Sequence, residues 1–297
     1  MVYEIEVKRL NYVEYGKEHG CGSIMDSLKF RSNEVKGMRI ISLVENTTIE
    51  EGIGAEHGLS LYIEYNEHKI LFDMGQTDLF LKNAKKLGID LSAVDIAVLS
   101  HGHYDHGGGL AEFLKMNDHA PVYISRYAFE PYYHGKSKYI GLDTRLKENN
   151  RFVFTDRSTG IGEGMTLFHG NEMAGKYDFG SFGLTVKRKD EYLPDNFLHE
   201  QYLLVEENGK KVLFSGCSHK GILNIVEWFE PDILVGGFHF SKMPLDDMLK
   251  KYAIDLNRFK TEYYTCHCTG AEQFTFMKQY MNRLFYLSAG QVININF

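Results

Sequence analysis

Three histidines and one aspartate fall within the stretch Ser100-His101-Gly102-His103-Tyr104-Asp105-His106-Gly107-Gly108-Gly109. Imidazole nitrogen and carboxylate oxygen are donors that Zn²⁺, Mn²⁺ and Fe²⁺ accept. An apolar run precedes the cluster and a helical pattern follows it. A turn between the two can aim His101 and His103 at one metal, and Asp105 and His106 at a second one beside it. The glycines after the cluster let the backbone bend tightly and start a helix without side-chain clashes. Two cations held this way would lower the pKa of a shared water toward ~7 and polarise a carbonyl or phosphoryl oxygen. The expected chemistry is hydrolysis.

The elements that must position these residues are legible in outline. Arg39 to Val44, Leu59 to Tyr65 and Lys69 to Phe72 read as strands, with a turn at Asn66-Glu67. Asp78 to Leu87 has helical spacing and stops at Gly88. Asp95 to Ser100 and Pro121 to Ser125 are short strands around a helix from Gly109 to Met116. In the second half, Arg151 to Thr155, Met165 to His169, Gln201 to Glu206 and Lys211 to Ser215 read as strands. Gly221 to Phe229, Leu245 to Lys251 and Ala271 to Met281 read as helices. Strands at Asp232 to Val235, Glu262 to Thr265 and Val292 to Asn296 lie between and after them. The glycines of Gly160 to Gly164 are expected to form a turn. The sum is an α+β domain with sheets covered by helices. It is expected to span residues 38–297, behind an N-terminal extension, residues 1–37, that includes a short strand at Val2 to Val7.

Composition narrows the class. The chain has 297 residues, 43% hydrophobic and 25% charged, with a net charge of −7. That balance carries no footprint for nucleic acid or for an anionic membrane surface. A small anionic substrate would need a local positive centre, which a metal supplies. The four cysteines, Cys21, Cys217, Cys266 and Cys268, form neither a paired zinc-knuckle array nor a disulfide framework. Met1 to Tyr12 carries charges throughout and no apolar core, and no apolar run approaches the ~18 residues of a membrane span. The expectation is a reduced, cytoplasmic protein, its oligomeric state open.

The HxHxDH word at His101 to His106 resembles the second motif of the metallo-β-lactamase superfamily. Leu71-Phe72-Asp73-Met74-Gly75 is similar to its first motif, whose aspartate supports the metal site from behind. Five further words resemble the subgroup named for 7,8-dihydropterin-6-ylmethyl-4-(β-D-ribofuranosyl)aminobenzene 5′-phosphate synthase. They are Ala55-Glu56-His57-Gly58-Leu59-Ser60, the glycine-rich stretch at His101 to Gly109, Gly216-Cys217-Ser218-His219, Gly236-Gly237-Phe238-His239 and His267-Cys268-Thr269-Gly270. The resemblance runs from about Met38 to the C-terminus. It implies a four-layer αββα sandwich with two divalent metal ions, zinc first and manganese or iron as alternatives.

It also implies further ligands. The superfamily often has a bridging aspartate at the end of the strand Val212 to Ser215, where this chain has Cys217 and His219 and no aspartate. His219 is the preferred substitute, because imidazole binds without being deprotonated by the metal, and Cys217 is the runner-up. His267 is expected as the last histidine ligand. His239 is expected to act as a proton donor to the leaving group, with a ligand role open, and Asp105 to orient the nucleophile. His199 stays open as a ligand. Cys266 and Cys268 are expected to pack, their thiols turned opposite to His267. His57 at a glycine-rich entrance loop, with Lys138 and Tyr139 in an aromatic and basic stretch, are the substrate-binding candidates. Ring stacking and a phosphate contact there would suit an anionic or heterocyclic molecule.

Three other functions compete with hydrolysis. The subgroup name implies condensation of a dihydropterin diphosphate with an aryl-ribose phosphate. Some superfamily relatives are di-iron oxidoreductases, which typically carry glutamate where this chain has His103. A non-catalytic metal-binding module is the remaining alternative.

Overall fold

A computed structural model describes residues 37–297. The expected extension, with its strand at Val2 to Val7 and Cys21, lies outside the described residues apart from Gly37. Two seven-stranded sheets form the centre. The first runs in the order Val292–Ile295, Met38–Val44, Ser60–Tyr65, His68–Phe72, Ile96–Val98, Val122–Ser125 and Phe152–Thr155. Its first four strands are antiparallel neighbours, and from His68–Phe72 onward the pairing is parallel. The second runs Leu284–Tyr286, Glu262–Thr265, Ile233–Gly236, Lys210–Gly216, Tyr202–Glu207, Met165–Phe168 and Thr159–Gly162. There the parallel pairs come first and antiparallel hairpins follow.

Side-chain alternation along the strands builds three of the four cores. Ile40, Ile63, Phe72 and Val98 of the first sheet meet Leu203, Val212, Phe214 and Val235 of the second. The other face of the first sheet buries Leu71, Ala97 and Val122 against Phe80 and Phe113 of helices Leu79–Lys86 and Leu110–Met116. The other face of the second packs on Ile222–Phe229, Asp247–Asn257 and Ala271–Met277. The layers are therefore helix, sheet, sheet, helix, as expected.

Local chemistry explains most boundaries. Helix Leu79–Lys86 buries Phe80, Asn83 and Ala84, the i, i+3, i+4 stripe. The helix expected at Leu245 to Lys251 instead runs Asp247–Asn257, because the Asp246 side chain caps it by accepting from the N–H groups of Met248 and Leu249. One expectation fails. Thr159–Gly162 is an edge strand paired with Met165–Phe168 rather than a turn. A four-stranded antiparallel sheet, Glu191–Pro194, Leu184–Arg188, Tyr132–His134 and Lys138–Tyr139, stands in segments to which the sequence assigned no element. Its central pairing joins Tyr132 to Val186, segments far apart in sequence, so no local signal announces it.

Candidate metal centre

Asp73, the segment 100–106, Cys217 to His219, His239 and His267 each follow a strand that is parallel to a neighbour. Carboxyl ends of parallel strands gather loops at one edge, as in other α/β sites. The chain turns sharply there: Asp73, Ser218, His239 and His267 all have positive φ, at 61°, 57°, 56° and 47°. Such strain in non-glycine residues clusters at functional sites. A Cβ at Gly102 would strike the backbone carbonyl of Ala128, so only glycine lets His101 and His103 flank this point.

Asp73 organises the first half of the site. Its fully buried carboxylate accepts from the Ser100 N–H at 2.7 Å, the Ser100 hydroxyl at 2.7 Å and His106 Nδ1–H at 2.6 Å. Ser100 gives its one hydroxyl proton to Asp73, so its oxygen accepts from His101 Nδ1–H at 2.9 Å. Both rings therefore keep a proton on Nδ1 and offer Nε2 as the donor position. Asn46 does the same for His267: its Oδ1 accepts from Nδ1–H at 2.8 Å, while Glu45 accepts the His267 backbone N–H at 2.6 Å.

The Nε2 atoms converge. His101 Nε2 lies 3.3 Å from His219 Nε2, His267 Nε2 lies 3.3 Å from Asp105 Oδ2, and His106 Nε2 lies 3.2 Å from Cys217 Sγ. With metal–nitrogen bonds of ~2.0–2.1 Å, two donors on one tetrahedral ion stand about 3.3–3.4 Å apart. His103 Nε2, His219 Nδ1 and His267 Nε2 are buried without a hydrogen-bond partner. Buried polar atoms normally have one, so these mark a missing group. Donor atoms of His101, His103 and His219 lie within 4.8 Å of one another, as do those of His101, His106 and Cys217. The donor set fits divalent cations.

Electrostatics follow the same plan. Burial, reinforced by the neighbouring imidazoles, holds His101 and His219 well below the usual histidine range. Burial also opposes charge on His106, but the Asp73 carboxylate outweighs it and raises the ring to about 9. A cation at that Nε2 must displace a proton. Burial would raise Asp105, yet the neighbouring His267, His57 and His106 rings hold its carboxyl well below the usual range.

The remaining expected residues divide. His57, at the exposed mouth, places Nε2 3.2 Å from Asp105 Oδ2. The His239 ring lies 4.3 Å from that of His219 and 4.4 Å from that of Phe182, its Nδ1 unpartnered. Both line a cavity of ≈ 320 Å³ together with Lys138. Tyr139 does not reach it: its hydroxyl donates to the Leu142 carbonyl at 2.7 Å and its ring packs edge-on against Tyr133. His199 is no ligand, since Nδ1 accepts from the Gly102 N–H at 2.8 Å and Nε2 donates to Asp195 at 3.1 Å. Cys268 faces the site instead of packing away from it, because positive φ at His267 and a short 3₁₀ turn, His267–Thr269, break the strand alternation.

Several residues carry no sequence motif. Asp195 stands 3.9 Å from His103 Nε2; the only sequence signal was an acidic residue four positions before His199. Burial opposes its charge, but His199 and His103 hold it well below the usual carboxylate range. Glu200, pushed up by burial, accepts the backbone N–H groups of His219 at 2.6 Å and Lys220 at 3.0 Å and so fixes the His219 loop. Glu45 and Asn46, at the end of strand Met38–Val44, were likewise silent.

Comparison with known proteins shows the family. The family model of the metallo-β-lactamase superfamily matches residues 53–255, and the chain belongs to that superfamily. It is 30% identical over 267 residues to the uncharacterized protein MJ0448 of Methanocaldococcus jannaschii, covering 85% of this chain and 98% of that one. It is 25% identical over 286 residues to the 7,8-dihydropterin-6-methyl-4-(β-D-ribofuranosyl)-aminobenzene-5′-phosphate synthase of the same organism, covering 88% and 97%. Among solved structures, Tm1679, a metal-dependent hydrolase of the β-lactamase superfamily, superposes with a TM-score of 0.75 at 34% identity, covering 88% of this chain and 100% of that one.

Proposed function

We propose that this chain is a dinuclear metallo-hydrolase acting on an ester-type or phosphoester bond of a small anionic or heterocyclic molecule. His101, His103 and His219 would hold one cation, and Asp105, His106 and His267 the other, zinc foremost and manganese or iron as alternatives. The observation that carries this is the convergence of buried, unpartnered imidazole nitrogens with Asp105 on one cavity. When bound, such a pair supplies Lewis acidity that makes water nucleophilic near neutral pH.

The chain's own groups then have separate tasks. Asp105, kept ionised by His57 and His267, orients the attacking water. His239 faces the cavity with a free Nδ1 and would protonate the leaving group. Asp73 and Asn46 hold the ligating rings in one tautomer. Ile140, Phe182, Leu184 and Met243 line the apolar part of the cavity, where they exclude water and contact the substrate's body. Lys138 and Lys242 line the same cavity and are exposed, which suits a negative group on the substrate.

The relative named as a dihydropterin-linked synthase favours a second reading. In it the same site assists departure of diphosphate from a dihydropterin donor as an aryl-ribose phosphate is joined to it. One experiment separates the two. Purified protein and a His103→Ala/Asp105→Ala double variant are assayed for metal content, for hydrolysis of phosphoesters and lactones, and for coupled product from a dihydropterin diphosphate. Turnover of esters alone supports hydrolysis, and coupled product supports the second reading. Full metal content and turnover in the double variant would refute both.

A further inference from the structure

We propose that His199, backed by Asp195, is a positioning residue for the cation position of His101, His103 and His219, and that it governs this position without acting on the other. The inference rests on the dinuclear reading above. Both side chains are buried. The Asp195 carboxylate takes the His199 Nε2–H at 3.1 Å, so the ring keeps its lone pair on Nδ1. That atom accepts the Gly102 N–H at 2.8 Å, the amide between His101 and His103. In the opposite tautomer two N–H groups would face each other, and a buried amide would lose its partner. Tyr132 stacks on the His199 ring with centroids 4.0 Å apart, and the His103 ring stands T-shaped to it at 4.9 Å. The ring is thus fixed by two hydrogen bonds and two aromatic neighbours, and it transmits that fixity to the backbone between two ligands.

The neighbours of His199 serve the same position. The Gln201 N–H donates to the Ser100 carbonyl at 2.8 Å, a second tie to the ligand loop. Asp195 also accepts the Phe197 N–H at 2.8 Å. Phe197 has a φ of 54°, and its ring stacks on that of His219 at 4.6 Å and 10°. Glu200 accepts the His219 N–H. Among the described residues, no hydrogen bond or ring contact of segment 195–200 reaches Asp105, His106 or His267. His106 and His267 are held instead by Asp73, Glu45 and Asn46. The two positions therefore have separate supports. Asp195 directly follows strand Glu191–Pro194, so the small sheet delivers the support of the three-histidine position.

The test titrates Zn²⁺ calorimetrically into full-length protein stripped with chelator. The wild type should bind two zinc. His199→Phe keeps an aromatic ring but loses both hydrogen bonds; it should weaken one zinc about 10- to 100-fold and leave the other within about twofold. His199→Gln keeps an acceptor for the Gly102 N–H and a donor for Asp195, and should recover most of that affinity. A role in packing alone would be met by phenylalanine and not by glutamine. Asp195→Ala should repeat the one-site loss, and it carries the test if circular dichroism shows His199→Phe to be unfolded. In a His219→Ala background, which removes the three-histidine position, His199→Phe should not weaken the remaining zinc further. Equal loss at both sites, wild-type affinity in His199→Phe or Asp195→Ala, glutamine no better than phenylalanine, or continued loss in the His219→Ala background overturns this inference and leaves the dinuclear reading standing. Fewer than two zinc bound by the wild type overturns both.

Discussion

Asp73→Asn is the substitution that isolates the organising carboxylate. Asparagine tolerates positive φ about as well as aspartate, so the 61° backbone angle is not newly strained. One amide oxygen can still accept the Ser100 N–H. The NH₂ group then faces two donors, the Ser100 hydroxyl and His106 Nδ1–H, that Asp73 now satisfies at 2.7 Å and 2.6 Å. Each charge-assisted bond contributes about 1.5–3 kcal/mol, so the metal-free protein should lose at least about 2 kcal/mol after the groups reorient. Reorientation means that His106 moves its proton to Nε2, the atom facing Cys217. A protonated Nε2 cannot bind a cation. Removing such a supporting partner typically weakens metal affinity 10- to 100-fold, or about 1.4–2.8 kcal/mol. Competition titration against a calibrated chelator, with urea melts of the stripped protein, reads both quantities. Affinity within twofold of wild type in a folded variant would refute the tautomer argument.

Other predictions address the surrounding frame. Burial, with the nearby Lys220 ammonium, lowers His169 to about 4, and neither ring nitrogen has a partner. A histidine kept neutral by the fold contributes stability that is complete above its unfolded pKa of ~6.5 and is lost as pH falls from there toward 4, about 3 kcal/mol in all. His169→Phe should flatten that part of the stability-versus-pH curve, and an unchanged slope between pH 6.5 and 4 would sink the assignment. Lys220 donates to the carbonyls of His169, Phe197 and Glu200 at 2.9, 2.6 and 3.3 Å. Lys220→Met should cost about 3–5 kcal/mol in denaturant melts, because it strands those carbonyls beside a buried Glu200. Gly102→Ala should destabilise by about 1–3 kcal/mol and impair metal binding, since its Cβ meets the Ala128 carbonyl. Equal melting and metal content would show that the loop yields at no cost.

What the sequence determined is the part of the site written in consecutive residues. His101 to His106 lie within one turn, so their types and order already imply shared donors. Asp73 at a strand end and the glycine-flanked words around Cys217, His239 and His267 were legible for the same reason. So were the main strands and helices, whose apolar periodicity reports a buried face directly. Tertiary structure alone decided which donors meet. His101 and His219 are 118 positions apart yet 3.3 Å apart at Nε2, because the two sheets deliver their strand ends to one edge. Glu45, Asn46 and Asp195 look like ordinary polar residues along the chain; they gain roles only through partners brought from afar, such as the contact of Glu45 with the His267 N–H. His199 stayed open as a ligand, and Cys268 looked like a packing residue, for the converse reason. Side-chain type states what a group can do, but the backbone angles at positions such as His267 determine where it points.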